Sequence, residues 1–117
     1  MSGDLAVRLN IAGNDLGVIS DVLLLLASQT EADSDIRESC EVPESVQLDI
    51  LSNAVFLLGD SIAAYSANRS AAVPPGQFKP ELALLDIIAG WLDMIASTIA
   101  IQSAEAAYLE GMAGDGG

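Results

Sequence analysis

The residue types that most often carry enzymatic chemistry are scarce in this chain. It contains no histidine and one cysteine, Cys40. The commonest general base and metal ligand is therefore absent, and a disulfide within one chain is impossible. Cys40 lies between Glu38 and Glu41, whose negative charge disfavours the reactive thiolate. The sequence predicts an unreactive thiol at this position.

Carboxylates are abundant, but their spacing matches no known catalytic or metal-binding motif. Residues 31–35 place three acids at alternate positions, as a calcium-binding loop does. The glycine that such a loop needs next is Ile36 here, and its final glutamate is replaced by Val42. Asp86 and Asp93 are spaced for one helix face, where we interpret them as a solubilising strip rather than an acid–base pair. We expect no catalytic residue, no metal and no cofactor, and hence no enzyme.

The overall charge narrows the range of partners. The chain has 117 residues, of which four are basic and seventeen acidic, giving a net charge of −13. Affinity for nucleic acid comes largely from Lys and Arg, and anionic membrane surfaces also attract basic segments. We therefore expect no direct nucleic-acid binding and no attraction to an anionic membrane surface. Attraction to a basic protein, or mimicry of nucleic acid, remains compatible with this charge.

Hydropathy is high for so acidic a chain, since 51% of the residues are hydrophobic. We expect no signal peptide at the N-terminus, because Asp4 is acidic and no basic region followed by an apolar core is present there. The long apolar runs are interrupted by Asp21, Asp60, Asp86 and Asp93, so none reaches the ~18 uncharged residues of a membrane span. We expect a cytoplasmic protein that does not enter a membrane.

Three segments, residues 4–29, 43–67 and 80–112, show helical periodicity. Each contains a row of apolar residues spaced alternately four and three apart, the a/d pattern of helices that pack side by side. We call these the a/d rows. The rows are Leu5, Leu9, Ala12, Leu16, Ile19, Leu23 and Leu26; Leu48, Leu51, Val55, Leu58, Ile62 and Tyr65; and Leu85, Ile88, Leu92, Ile95, Ile99, Gln102, Ala106 and Leu109.

The segments between these helices have the composition of connections. Residues 30–42 are predicted to form an acidic loop, residues 68–79 a proline-containing linker, and residues 113–117 a flexible tail. In the first helix, residues 13–15 (Gly-Asn-Asp) could end one helix and cap another, but the unbroken a/d row favours a single helix. The sequence predicts one all-α domain over residues 1–117, an up-down-up antiparallel three-helix bundle.

The third helix carries a second apolar stripe beside its a/d row. An isolated bundle needs one apolar stripe on each helix, and a large apolar patch left in water usually marks a binding surface. One interpretation is that this helix is central in its own core. The other is that the stripe contacts a partner, which is either a second copy or an amphipathic helix of a client protein. The predicted contact residues, which we call the α3 patch, are Ile87, Trp91, Met94, Ile101 and Tyr108.

We therefore predict a non-enzymatic protein–protein interaction module, such as a small acidic adaptor, chaperone or inhibitor, that self-associates, most simply as a homodimer. The alternative hypothesis is an acidic mimic of nucleic acid that inhibits a DNA-binding protein. The mimic requires carboxylates aligned on one face, and its binding weakens steeply with salt. The interaction module requires an exposed apolar surface.

Overall fold

A computed structural model describes residues 2–74 and 76–116 of the chain. They form three α-helices: α1 (Ser2–Ser39), α2 (Glu44–Ala71) and α3 (Pro80–Gly116). No strand occurs among these residues. The structure confirms the predicted all-α three-helix bundle.

Helix α2 lies in the middle of the bundle. It packs against α1 on one side and against α3 on the other, while α1 and α3 do not pack closely on each other anywhere in the described ranges. The bundle is long and narrow, with extents of 63 × 21 × 21 Å. Helix α3, which is the most apolar segment, therefore has one packed neighbour instead of the two that a central position would give it.

The helices are longer than the sequence predicts. Helix α1 is continuous through residues 13–15 and ends at Ser39, so most of the acidic segment predicted as a loop is helical. Ala32 from this segment is buried against the bundle, which gives the acidic turns a packing contact that periodicity did not reveal. The helix ends where Cys40 adopts a left-handed φ of 60°.

The connection between α2 and α3 lies where the prolines predict it. Gln77 N–H donates to Pro74 O at 3.2 Å, and Gly76 has a φ of 83°, which glycine adopts without steric cost. Pro80 begins α3, as expected from a residue whose missing N–H is not needed in the first turn. At its other end α3 continues to Gly116, through residues predicted as a flexible tail.

The interior is built from small and polar side chains. The buried apolar residues are Ala32, Val46, Ala64, Ala67, Ala89 and Ala96. The buried polar residues are Asp21, Ser28, Ser45, Ser52, Asn53, Ser66 and Ser103. Since side chains of this size remove little apolar area from water, the interior supplies a weak hydrophobic driving force.

Most of the large apolar side chains are exposed, and the others are mainly half-buried. Every residue of the first a/d row is exposed, and so are Leu51, Leu58 and Tyr65 of the second. On α3 the row is divided, because Leu85 and Leu92 are half-buried while Ile95 is exposed. The expectation that these rows form the bundle's own core is therefore wrong for most of their length. Small residues occupy the helix contacts instead, since they allow the backbones to approach closely and bond across the interface.

Candidate interaction surface and polar interior

The contact between α2 and α3 repeats every seven residues. Ser52 Oγ donates to Ala96 O at 2.9 Å. One heptad away on both helices, Ser103 Oγ donates to Ser45 O at 2.7 Å. In the opposite direction, Ser66 Oγ lies 3.3 Å from Leu82 O. The two helices therefore stay in register, and hydroxyl-to-carbonyl bonds replace interlocking leucines.

Gly59 continues this heptad at a point where α3 packs tightly against α2. A Cβ atom added there would lie 2.6 Å from Asp93 Oδ1, 3.1 Å from Leu92 Cβ and 3.3 Å from Ala89 O. A separation below 3 Å requires some atom to move, and the carbonyl oxygen of Ala89 belongs to the backbone of α3. The absence of a side chain at Gly59 is therefore what allows α2 and α3 to pack at this distance.

The far end of α3 caps the beginning of α2. The carboxylate of Glu110 accepts hydrogen bonds from Ser45 N at 3.1 Å and from Ser45 Oγ at 2.6 Å. The first N–H groups of a helix have no partner within the helix, and negative charge is favourable there. Glu110 thus supplies the cap that Pro43, at the N-cap position of α2, does not supply.

The contact between α1 and α2 is polar as well. Asn53 Nδ2 donates to Ser28 Oγ at 2.6 Å, and Ser28 Oγ lies 3.0 Å from Asp49 Oδ2. One heptad away on both helices, Asp21 of α1 meets Asp60 of α2. The buried residues of α1, Asp21, Ser28 and Ala32, are therefore small or polar and do not belong to its a/d row.

Three aspartates, one from each helix, meet in the interior. The carboxyl of Asp60 lies close enough to Asp21 and to Asp93 to raise the pKa of both. Asp21 is only 8% exposed. Among the described residues, neither Asp21 Oδ2 nor Asp93 Oδ1 has a hydrogen-bond partner, although both atoms are buried. A proton shared between neighbouring carboxyls would supply the missing donor.

The surroundings of these carboxyls disfavour their ionised forms. The pKa of Asp21 is raised to about 7, first by burial, then by the hydrogen bond with Asp60 and by the charges of Asp60 and Asp93. Burial also raises the pKa of Asp93, with the charge of Asp60 and a hydrogen bond to it as the further causes. In the part of the chain that the structure describes, no three acidic or sulfhydryl side chains are grouped so as to hold a metal ion.

The predicted contact residues on α3 all lie on the exterior. Trp91 is 60% exposed and Tyr108 is 68% exposed, and the remaining members of the α3 patch are also exposed. The neighbouring residues Ile95 and Leu109 extend the same apolar surface. The structure thus brings the α3 patch onto one helix exterior, without a groove formed by a second element.

Each of the three helices is long enough and apolar enough, by length and composition, to cross a membrane.

No protein-family model matches the chain, and neither a curated protein nor a solved structure shows significant similarity to it.

Proposed function

We propose that this chain is a non-enzymatic interaction module whose apolar exterior is covered by a second copy of itself. The observation that carries the proposal is the inverted distribution of side chains. Serines, alanines and Asp21 are buried, while the leucines, the isoleucines and Trp91 are exposed or at most half-buried. The large apolar residues, whose burial stabilises proteins most, are thus not fully buried in the core of the bundle.

The accessible area supports the same conclusion. The chain exposes 7885 Å², whereas a compact monomer of 12.1 kDa exposes about 6,000 Å² by the usual scaling of surface with mass. The difference is about 1,900 Å² per chain. Burying that much on each of two copies would give an interface in the range of obligate homodimers.

The spacing of the exposed residues favours a helical protein partner. The first a/d row keeps its four-three alternation along α1 with every member exposed. The α3 patch has the same alternation when Thr98 and Glu105 are included. Such spacing is required for knobs-into-holes packing against another helix. Lipid chains impose no such spacing, so the pattern indicates helices of a second copy.

The positions of the exposed acids along the long axis of the bundle also favour a protein partner over lipid. Ala89 of α3 lies opposite Gly59 of α2. Asp86, three residues before Ala89, is therefore level with Ile62 of α2, and it is exposed. A carboxylate on the exterior at this height would lie in hydrocarbon if the bundle spanned a membrane centrally.

A second exposed acid, Glu31, limits the length of the apolar exterior towards the opposite end of the bundle axis. Asn53 lies opposite Ser28, so Glu31 of α1 is level with Ile50 of α2, and it is exposed. From Ile50 to Ile62 is twelve residues, or about 18 Å at the rise of an α-helix. The hydrocarbon core of a bilayer is about 30 Å thick. The apolar exterior is thus too short, at this register, for a transmembrane bundle.

Net charge opposes association and gives it a characteristic salt dependence. Each copy carries −13, so two copies repel each other at low ionic strength. Added salt screens that repulsion and leaves apolar burial unchanged or stronger. Self-association through the apolar exterior should therefore tighten with salt, whereas binding of the chain to a basic protein, as a nucleic-acid mimic, should weaken.

Sedimentation equilibrium of two matched variants tests the proposal. Met94→Glu places a charge in the α3 patch, and Ser97→Glu places the same charge at an exposed position outside it. We expect the wild type and Ser97→Glu to sediment as an assembly, and Met94→Glu to dissociate at least tenfold more readily, because a buried unpaired charge is costly. Trp91 emission should move to longer wavelength as the assembly dissociates.

Two outcomes would contradict the proposal. In the first, all three proteins sediment as single chains of 12.1 kDa at every concentration. In the second, the wild-type chain stays in solution only when detergent is present, which would point to lipid as the occupant. Equal dissociation of the two variants would reject the α3 patch as the contact surface.

A further inference from the structure

We propose that Asp21, Asp60 and Asp93 form a proton-binding cluster that holds α1 against the α2–α3 hairpin when it is protonated and releases α1 when it is fully ionised. The inference is independent of self-association. It rests on the position of the three carboxyls, one on each helix, with Asp60 between the other two.

Within residues 2–74 and 76–116, no positive charge compensates the cluster. The groups that face one another are Asp21 from α1, Asp60 from α2 and Asp93 from α3, and all are acids. Arg69 is the basic residue of α2, and it is nine positions from Asp60, or about 13 Å along the helix. Arg8 is farther along α1 and is paired with Asp4 at 3.5 Å. Three ionised carboxylates in this interior would repel each other without relief.

Two orphaned oxygen atoms show that the site is suited to protons. Asp21 Oδ2 and Asp93 Oδ1 are buried without a hydrogen-bond partner, and a buried acceptor without a donor is unfavourable. Protonation removes a charge and supplies a donor in the same step. With one or two protons bound, the carboxyls can bond to each other across the three helices, as paired carboxyls do in other proteins.

Helix α1 is the element that ionisation would release. It packs on α2 and, within the described ranges, has no close packing with α3. Its buried side chains are Asp21, Ser28 and Ala32, and its larger apolar residues are at most half-buried, so α1 supplies little apolar area. The α2–α3 contact has its own heptad of hydroxyl-to-carbonyl bonds. Repulsion at the cluster therefore acts on a weak contact at α1 and on a stronger one at α3.

The direction of the pH effect follows from linkage. Because the folded-state pKa of Asp21 is raised from 3.8 to about 7, the folded chain binds more protons than the unfolded chain between these values. The stability contributed by that proton is complete below about pH 3.8 and is lost as the pH rises through about 7. Ordinary carboxyls are already ionised above pH ~5.5, and the chain has no histidine, so few other groups titrate in the window from about pH 5.5 to 8.

Urea unfolding at pH 5.5 and pH 8, with Asp21→Asn and a matched control, tests the cluster. We expect the midpoint of wild-type unfolding to be lower at pH 8 than at pH 5.5. Asp21→Asn keeps the shape and supplies its own donor, so it should lose most of this difference and be the more stable protein at pH 8. Asp15→Asn changes an exposed aspartate of the same helix and should retain the wild-type difference.

Hydrogen exchange on the folded chain identifies the element that moves. After correction for intrinsic rates, amides of α1 should lose protection between pH 5.5 and pH 8, while those of α2 and α3 retain it. If Asp21→Asn does not fold, Asp93→Asn replaces it with the same expectations. The proposal is overturned if wild-type stability is equal or greater at pH 8, if the Asn variant shows the wild-type difference, or if all three helices lose protection together.

Discussion

Ser52 shows how a small polar residue can occupy a helix contact. Its hydroxyl is buried, and it donates to Ala96 O across the interface at 2.9 Å. A net gain of ~0.5–1.5 kcal/mol is typical for such a bond. A leucine at the same position would bury more apolar area but would force the backbones apart. A small residue at an inward position therefore provides less hydrophobic stabilisation, but it allows the two helix backbones to lie closer together.

Gly59→Ala tests the close approach of α2 and α3 by adding a single Cβ atom between them. The added methyl group would lie too near Asp93 Oδ1 and Leu92 Cβ, so we expect a loss of ~1–3 kcal/mol, the usual cost of overpacking. Gly90→Ala is the control, because nothing lies within 4 Å of the Cβ it would add. That variant should gain up to ~1 kcal/mol from the better helix propensity of alanine. Equal stability of the two variants, measured by urea unfolding, would contradict the close approach at Gly59.

At the level of elements, the sequence predicted the helices better than their faces. Helix number, helix type and the start of α3 at Pro80 followed from periodicity and from proline. The faces did not, because two heptad patterns coexist on each helix. Large apolar residues mark one, and small ones such as Ser45, Ser52, Gly59 and Ser66 mark the other. Reasoning that ranks positions by hydrophobicity selects the first pattern, whereas the bundle packs on the second.

Asp21 illustrates why the interior could not be anticipated. An aspartate within an apolar helix is ordinarily assigned to the solvent face, since an isolated buried charge is very costly. Its burial becomes acceptable when the carboxyl is protonated, a form that Asp60 and Asp93, which lie on other helices, favour. The sequence holds no local signal for that meeting. The seven-residue steps from Asp21 to Ser28, and from Asn53 to Asp60, become informative once the pairing of α1 with α2 is known.

Ser52→Leu tests which pattern faces inward. Inserting a large side chain at this buried position should destabilise the chain by ~2 kcal/mol or more, because the helices cannot separate without losing the neighbouring hydroxyl bonds. Ser61→Leu makes the same change at an exposed position of α2 and should alter the free energy of unfolding by less than ~0.5 kcal/mol. If Ser61→Leu is instead the more destabilising change, the assignment of the two faces is reversed.

At the scale of the whole molecule, we expect the stability of the fold to depend on its assembly. The interior offers hydroxyl bonds and alanine packing but little apolar burial, and folding must still offset a large loss of conformational entropy. The apolar residues that could provide the difference lie on the exterior. We therefore expect folding and association to be coupled, with unfolding midpoints that rise with protein concentration, as mass action requires for a dimer.

The mass of the chain in solution tests the central claim most directly. Light scattering coupled to size-exclusion chromatography, at low and at high salt, should give about twice the chain mass of 12.1 kDa or more, with the assembled fraction larger at high salt. A mass of one chain at every salt and protein concentration, with Trp91 emission typical of an exposed indole, would contradict the account.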